Sequence, residues 1–428
     1  MMNRLNLTST PIDDLRTSLP RPKAAEHPPS ALVQEIIDVV RAGGDAAVRE
    51  LTERFDKTTV DELRVTAEAI EAALAEVPPL LREALEAARA NILAYHRATV
   101  TEELRYERDG IVVRDLARPV DRVGVYVPGG AAPLISTVLM TAIPARVAGV
   151  GEVVLCSPPQ NDGKVPSGIL AAAALAGVDE VYAVGGAQAI AAMAYGTDSI
   201  KPVDVIVGPG NVFVSEAKRQ VSGVVGVPSS FAGPSEVVVV ADETTPATFA
   251  AIDLIVQVEH GPDGLAWLIT WSEDAAERIV AEVERLAAES PRREVIEHNL
   301  RTNSYIALVD GPEMAIAVAN AVAPEHLQLM SADPESLLPL VRHAGAVFTG
   351  AYAPASVGDY IAGPSHVLPT YGSARFGEAL RVDDFVKHVH VVSLDDATLS
   401  RIGPHVVALA EAEGLPAHAE SVRLRVPR

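Results

Sequence analysis

From Arg122 onward the chain alternates short β-branched runs with alanine-rich segments of helical spacing. Four of these runs end in Gly or Pro, and they are VGVYVPGG (123–130), VVLCSPP (153–159), VYAVGG (181–186) and DVIVGPG (204–210). A second set follows, and it comprises SEVVVVAD (235–242), LAWLITWS (265–272), SYIALVD (304–310) and AGAVFTG (344–350). Strands that alternate with helices form βαβ units, so the pattern predicts an α/β protein with parallel sheets. Glycines at the carboxyl ends of the first four strands are typical of a sheet edge that binds a ligand.

The segments on either side of this pattern have a different texture. Residues 1–23 are polar and punctuated by prolines, which predicts an irregular arm. Residues 30–100 have helical spacing, with an interruption at Gly43–Gly44, and we expect His96 to lie on a surface or a helix face. Near the end, a helix at PHVVALAEAEG precedes LPAHAESVRLRV, a candidate short strand.

Charge and cysteine content limit the possible partners. The formal net charge of −22 argues against nucleic acid or an anionic membrane surface as a partner. The single cysteine, Cys156, excludes an internal disulfide and a zinc site built from thiolates, and it fits a reducing compartment. The longest apolar run, residues 169–178, is far shorter than the roughly 20 residues of a membrane span. We expect a cytoplasmic protein.

The glycine-rich strand ends suggest a dinucleotide site. Gly208-Pro-Gly210 begins like the GxGxxG fingerprint, but Phe213 stands where the third glycine belongs, so this motif is weak by itself. Tyr126, Gln188 and Asn211 each lie at one of these strand ends and are candidate cofactor contacts. The alternative is that the polar residues among them only cap turns.

Metal ligands other than thiolates are also available. Gln257 and His260 are three residues apart in the last turn of a predicted helix, so they share one face, although a histidine interacting with the helix dipole is the simpler interpretation. Further candidates are Asp359 and His418, because zinc prefers about four N or O donors where Cys is absent. No local signature joins residues so far apart in sequence.

A candidate acid–base pair follows a predicted helix end. Pro324 disfavours a helical conformation for the residue before it, so the adjacent Glu325 and His326 can project into a cleft. The stretch from Gly345 to Gly372 is rich in Gly and Pro yet carries Asp359 and His366, which predicts a rigid, partly buried loop. These residues alone indicate a metal- and nucleotide-dependent α/β enzyme with an unknown substrate.

At this level of detail the chain resembles the histidinol dehydrogenase family. The segments that carry the resemblance occur in the family's order from about residue 120 to the end, and they include VGVYVPGGAAPLISTVLMTAIPARVAGV, VGGAQAIAAMAYGT, VGPGNVFVSEAKRQV, AGPSEVVVVAD, QVEHGPDG, APEHLQLM, GAVFTGAYAPASVGDYIAGPSHVLPTYG and EGLPAHAESVRLR. The helical amino-terminal part is compatible with the family but less diagnostic.

The resemblance implies a zinc-containing, NAD-dependent homodimer, with one zinc ion per subunit, that oxidises L-histidinol to L-histidine in two steps. It implies Glu325 and His326 as the acid–base pair, and zinc ligation by Gln257, His260, Asp359 and His418. The residues implied to contact substrate are Ser235, Gln257, His260, His326, Asp359, His366, Glu413 and His418. Cofactor contacts are implied for Tyr126, Gln188 and Asn211, and Glu413 and His418 would complete the partner subunit's site.

The family's fold implies two incomplete Rossmann-like parallel-sheet domains with a helical amino-terminal part and a small carboxyl-terminal segment. The boundaries that we expect are an arm at 1–23, a larger discontinuous α/β domain at 24–122 plus 236–381, a second Rossmann-like domain at 123–235, and a segment at 382–428 that contacts the partner subunit.

Three other functions are open to such a sequence. A dehydrogenase of the same fold could oxidise another polar alcohol, such as a sulfonated diol, but it would not need Glu413 and His418. A zinc hydrolase with Glu325 as base would not need the four glycine-terminated strands. A non-catalytic metal-binding module would leave the Glu325–His326 pair without a purpose.

Overall fold

The computed structural model describes residues 2–20, 28–129, 133–228, 233, 235–259, 261 and 263–426. Within these ranges the predicted α/β class is confirmed, because helices alternate with strands and two of the three sheets are wholly parallel. In the described part of the chain no helix is both long and apolar enough to cross a membrane.

The amino-terminal part begins with a strand, so the prediction of an irregular arm was wrong for that segment. Its elements are β1 (Asn3–Asn6), α1 (Leu15–Ser18), α2 (Ser30–Asp56), α3 (Ala67–Glu76), α4 (Pro79–Ala98), β2 (Leu104–Arg108) and β3 (Ile111–Pro119). The predicted interruption near Gly43–Gly44 is present as a kink, since Gly44 adopts φ 53° inside α2. β1 escapes sequence reasoning because its residues, NRLN, lack the β-branched character of a strand.

The first predicted set of strands forms a four-stranded parallel sheet. Its elements are β4 (Arg122–Tyr126), α5 (Ile135–Ala148), β5 (Glu152–Ser157), α6 (Ser167–Ala176), β6 (Glu180–Ala183), α7 (Gly186–Tyr195), β7 (Val205–Val207) and α8 (Val212–Val221). The strand order is β6-β5-β4-β7, so the direction of winding reverses between β4 and β7. Such a reversal leaves a crevice at the carboxyl ends of the two strands.

The second set forms a six-stranded parallel sheet. Its elements are β8 (Glu236–Ala241), α9 (Ala247–Val258), β9 (Leu265–Thr270), α10 (Glu273–Glu289), α11 (Arg293–Thr302), β10 (Tyr305–Leu308), α12 (Pro312–Val322), β11 (His326–Leu329), β12 (Ala346–Thr349) and α13 (Ala355–Tyr360). The order is β1-β10-β9-β8-β11-β12, with a reversal between β8 and β11. β11 was not predicted, because HLQL is short and contains no β-branched residue.

The carboxyl-terminal segment contains β13 (Val386–Ser393), α14 (Asp396–Ala412) and α15 (Pro416–Arg423). β13 joins β3 and β2 in an antiparallel sheet. The strand predicted within LPAHAESVRLRV was wrong, since these residues form α15, with Pro416 in its first turn. Proline is favoured there because the first helical N–H has no intrahelical partner.

Core packing places the amino-terminal helices with the four-stranded sheet. Val33 of α2 and Ile92 of α4 belong to the same hydrophobic cluster as Val125 of β4. The grouping of residues 24–122 with 236–381 stays a prediction. His96 is only 1% exposed, so of its two expected positions the helix face is correct and the surface is wrong. It lies one turn after Ile92 on the buried face of α4.

Candidate functional site

A large cavity among the described residues opens at the reversal point of the four-stranded sheet. It has a volume of about 950 Å³, in the upper part of the range for small-molecule sites. Its lining combines the end of β4 and the loop after β5 with the starts of α7 and α8, and it includes Tyr126, Pro128, Gly186, Gln188, Asn211 and Phe213. The amino termini of two helices therefore face this cleft, and their N–H groups favour an anionic ligand.

The three residues predicted to contact a cofactor all line this cleft. Tyr126 is buried, its hydroxyl accepts a hydrogen bond from the Gly186 N–H at 3.2 Å, and burial raises its pKa to about 12. Gln188 is also buried, and its Nε2 has no hydrogen-bond partner among the described residues. An unpartnered buried amide is costly unless a ligand satisfies it, so the cleft fits a polar cofactor.

Asn211 has two roles to weigh. Its Oδ1 accepts hydrogen bonds from the N–H groups of Phe213 and Val214 at 3.0 and 3.1 Å, which makes it the N-cap of α8. The capping interpretation is thus correct for the oxygen. Because an amide has separate donor and acceptor ends, the exposed NH₂ group stays available to a ligand in the cleft.

A glycine sets the shape of the cleft where β7 ends. Gly208 has φ +105°, and a Cβ at this position would lie 2.0 Å from the carbonyl oxygen of Tyr126. The buried Lys218 of α8 donates to the Gly208 carbonyl. Only glycine permits this close approach of two strand ends, which explains the Gly-Pro-Gly sequence without the complete dinucleotide fingerprint.

The predicted acid–base pair lies at the reversal point of the six-stranded sheet. α12 ends at Val322, as the sequence predicts, and Ala323 adopts a left-handed conformation before Pro324. His326 begins β11 and is only 3% exposed, and Glu325 precedes it at 8%. The His326 Nδ1 lies 3.6 Å from Oε2 of Glu325 and 3.3 Å from the carbonyl oxygen of Glu236. Glu325 and His326 thus lie at the buried start of β11, beside β8, and not in an exposed polar loop.

Electrostatics couple the members of this cluster. Burial disfavours the charged imidazolium of His326, but the carboxylates of Glu325 and Asp359 outweigh it and raise the pKa of His326 to about 9. Burial raises the pKa of Glu325 to about 7, although His326 partly opposes this shift. A carboxyl group with such a pKa can accept and return a proton near neutrality.

The loop from Gly345 to Gly372 delivers two further predicted residues. Asp359, in α13, places Oδ1 3.4 Å from Nε2 of His326. His366 is held on both sides, with Nε2 3.0 Å from Oγ1 of Thr137 and Nδ1 2.8 Å from the Asp359 carbonyl oxygen. Since Thr137 belongs to α5, this histidine connects the Asp359 loop to a helix that follows β4 of the four-stranded sheet. Outside β12 and α13 this stretch is mainly irregular and partly buried, as predicted.

The three predicted zinc ligands that the structure describes are found in different surroundings. Gln257 is 1% exposed near the end of α9, and its Nε2 has no hydrogen-bond partner among the described residues. Asp359 lies beside His326, whereas His418 is exposed on α15. His260 lies outside the described residues. Among the residues that are described, no group of three or more His, Cys, Asp or Glu side chains is arranged to hold a metal ion.

The remaining predicted substrate contacts also divide into two groups. Ser235 is half-buried immediately before β8, where its carbonyl accepts the Leu265 N–H at 3.1 Å. Glu413 and His418 are exposed, and α14 contacts the β2–β3 turn through Arg401, which donates to the Asp109 carbonyl. Neither exposed residue belongs to the buried cluster of the same chain.

Sequence reasoning missed two acidic residues at these sites. Asp56, at the end of α2, lines the cofactor cleft, and burial raises its pKa to about 6. Glu236, the first residue of β8, is 4% exposed and contacts both Glu325 and His326. The only signal for Glu236 was a carboxylate at the start of a run of four valines, where burial is expected.

A nucleotide-sized cleft at the carboxyl edge of a parallel sheet, together with a buried carboxylate–imidazole pair, is the arrangement of an α/β enzyme. The family model for histidinol dehydrogenase matches residues 19–426. The chain therefore belongs to the histidinol dehydrogenase family.

Individual relatives agree with this assignment. The histidinol dehydrogenase of Geobacillus kaustophilus is 46% identical over 397 residues, which cover 92% of this chain and 93% of the relative. That of a Synechococcus species is 46% identical over 398 residues, 92% of each chain. The crystal structure of histidinol dehydrogenase from Elizabethkingia anophelis superposes with a TM-score of 0.94 at 35% identity and covers 99% of this chain and 98% of its own.

A more distant structure shares the fold alone. An acetylating aldehyde dehydrogenase from Geobacillus thermoglucosidasius has a TM-score of 0.50 at 17% identity, with coverage of 85% of this chain and 96% of its own. The predicted arrangement of two parallel sheets is thus that of the family, and the chain is an oxidoreductase.

Proposed function

We propose that this oxidoreductase converts L-histidinol to L-histidine through L-histidinaldehyde, with two NAD molecules reduced per substrate, as the last step of histidine biosynthesis. The observation that carries the proposal is the buried contact of His326 with carboxylates on both sides, Glu325 at 3.6 Å and Asp359 at 3.4 Å, in a chain of this family. The cleft lined by Tyr126, Gln188 and Asn211 would bind NAD, which supplies the hydride acceptor.

The surroundings of His326 determine which nitrogen acts as the base. The Glu236 carbonyl can only accept a hydrogen bond, so it favours the tautomer with the proton on Nδ1. Nε2 is then the acceptor, and it has no hydrogen bond of good geometry among the described residues. The neutral form of His326, whose share grows as the pH rises toward its pKa of about 9, would take the hydroxyl proton of histidinol at Nε2 while the carbinol carbon loses hydride.

Glu325 has a different task in the second oxidation. Its carboxylate would remove a proton from the water that adds to the aldehyde carbon, and a pKa of about 7 suits that exchange near neutrality. His326 would then take a hydroxyl proton from the resulting gem-diol as the second hydride leaves. The sum is one alcohol and one water converted to one carboxylic acid, with two NADH formed.

The zinc proposal rests on the donors present. A carboxylate at Asp359, the buried amide of Gln257 and the imidazoles of His260 and His418 form an N and O donor set that suits zinc, and the Gln257 amide would bind it through Oε1. When bound, the zinc ion would orient the amino alcohol and offset the negative charge of Asp359.

The exposed positions of Glu413 and His418 support a homodimer with shared active sites. In such a dimer each subunit would supply these two residues to its partner, where Glu413 would accept the imidazole N–H of the substrate and thereby select histidinol over aliphatic amino alcohols. We also propose that the enzyme works in the cytoplasm, in keeping with its single buried cysteine.

The test is the number of NADH molecules formed per L-histidinol at limiting substrate, before and after chelation. We expect two NADH per substrate, with loss on chelation and recovery with zinc. A yield of one would indicate an ordinary alcohol dehydrogenase and remove the water-activating role of Glu325. No NADH from histidinol, but turnover of a sulfonated diol, would indicate the alternative substrate class.

A further inference from the structure

Glu236 is a buried carboxyl group that the proposed chemistry does not use. It is 4% exposed and begins β8, the strand that pairs directly with β11. In the register of this parallel pair, His326 lies opposite Val237, so Glu236 and Glu325 occupy equivalent positions one residue before the paired segment. The side chains of these two residues therefore meet where the ladder of backbone hydrogen bonds begins.

Glu236 and Glu325 exchange hydrogen bonds. The Glu236 N–H donates to Oε2 of Glu325 at 3.1 Å, and the Glu325 N–H donates to Oε1 of Glu236 at 3.2 Å. One bond fixes the carboxylate of Glu325, and the other fixes the backbone that carries it. Two reciprocal bonds restrict both the position and the rotation of Glu325 more than either bond alone would.

Glu236 also contacts the other member of the pair and the loop above it. Its carbonyl oxygen lies 3.3 Å from Nδ1 of His326, and the backbone N–H of Gly372 donates to its carboxyl group. Gly372 ends the loop that carries Asp359, and it adopts φ 70°. A single residue thus touches Glu325, His326 and the end of the Asp359 loop.

We propose that Glu236 is a positioning residue that fixes the carboxylate of Glu325 and the imidazole of His326 for both oxidation steps. The inference rests on the proposed roles of Glu325 and His326. Burial beside Glu325 raises the pKa of Glu236 to about 8. Two neighbouring carboxyl groups are therefore disfavoured from being charged together.

The contribution of Glu236 is tested by removing its acceptor oxygen while preserving its size. Glu236→Met keeps the length of the side chain but cannot accept from the Glu325 N–H, whereas Glu236→Gln keeps that acceptor. We expect kcat for histidinol to fall on the order of 30-fold in Glu236→Met, with the KM values for histidinol and NAD within about threefold, because a misplacement of about 1 Å in a catalytic group costs up to 100-fold. Glu236→Gln should retain kcat within about fivefold, since its oxygen can still accept from the Glu325 N–H.

A matched control separates positioning from general destabilisation. Val238→Ala opens a cavity on the same strand but touches neither catalytic residue, so it should lower the thermal unfolding midpoint without changing kcat by more than about twofold. Zinc content should be the same in all these variants. If Glu236→Met does not fold, the shortened Glu236→Asp is expected to show the same selective loss of kcat.

Two results would overturn the inference. In the first, Glu236→Met, or Glu236→Asp in its place, retains wild-type kcat. In the second, kcat falls as far in Glu236→Gln as in Glu236→Met, which would mean that the acceptor oxygen is irrelevant. Glu325→Gln and His326→Ala are measured alongside. If Glu325→Gln and His326→Ala keep full activity, the proposed function is wrong. If these two variants lose activity while Glu236→Met keeps it, only the proposed role of Glu236 is wrong.

Discussion

The two parallel sheets each reverse their strand order once, between β4 and β7 in one and between β8 and β11 in the other, but they use opposite ends of those strands. The four-stranded sheet opens at its carboxyl ends, where Tyr126 and Gly208 line or border a cleft of about 950 Å³. In the six-stranded sheet, Glu236 and His326 are the first residues of β8 and β11, so the buried cluster lies at the amino ends.

The carboxyl ends of β8 and β11 are closed by internal hydrogen bonds. Thr245 donates to the Met330 carbonyl at 2.8 Å, and Asp242 accepts the Ala332 N–H at 2.8 Å. The comparison separates two ways of building a site. The cleft relies on glycines and helix amino termini that leave space for a ligand, whereas the cluster relies on buried side-chain charges that act on one another.

The largest effect is expected from His326→Ala. Removal of the base should lower kcat about 1000-fold, within the range for general acid–base catalysis, while NAD binding is little changed because His326 does not line the cleft. Steady-state kinetics and NAD binding by fluorescence measure the two quantities. The exposed His298→Ala on α11 is the control. Retention of more than a tenth of wild-type kcat would mean that the cluster is not the acid–base site.

The cluster should also make stability depend on pH. Burial raises the pKa of Glu236 from 4.5 to about 8, so the folded protein holds a proton that the unfolded chain releases between these values. This stabilisation is complete below about pH 4.5 and is lost as the pH rises through 8, a change on the order of 5 kcal/mol in the free energy of unfolding, of which about 2 kcal/mol falls between pH 6 and 8. The thermal midpoint, measured at fixed protein concentration, should therefore fall more between pH 6 and pH 8 in the wild type than in Glu236→Gln. Equal falls would contradict the assigned shift.

A smaller effect is expected in the cleft from Gln188→Ala. Loss of the unpartnered buried amide should raise the KM for NAD about tenfold and leave kcat within about twofold, since the interaction is made equally in the ground state and the transition state. Gln220→Ala, a half-buried change on α8 outside the cleft, should leave both constants unchanged. An unchanged KM for NAD in the Gln188 variant would place the cofactor elsewhere.

The smallest effect is expected from Cys156→Ala. Cys156 is buried in β5, and burial raises its pKa to about 12, so the thiol stays protonated and is no nucleophile. Activity should remain within about twofold, with a loss of stability of about 1 kcal/mol from the small cavity. The measurements are NADH yield and the thermal midpoint. A large loss of turnover with the fold intact would indicate covalent catalysis by Cys156, for which neither the cleft nor the buried cluster accounts.

The sequence predicted the strands of the cleft well and those of the cluster only in part. Strands such as residues 153–157 and 236–241 are dense in β-branched residues, and local preference suffices to locate them. β11 is the exception that matters, because its four residues become a strand only through pairing with β8 and β12. With β11 missing from the prediction, Glu325 and His326 were expected in a loop, and the contact with Glu236 could not be foreseen.

The sequence by itself determined the α/β alternation, the glycine-bordered strand ends with Tyr126, Gln188 and Asn211, and the end of α12 before Glu325. These features depend on backbone preferences between neighbours in the chain, which residue types express locally. Only the tertiary structure decided that Glu236 meets Glu325, 89 residues away, and that two carboxylates flank His326. Burial and electrostatic coupling arise from groups that are close in space, and no local pattern records such distances.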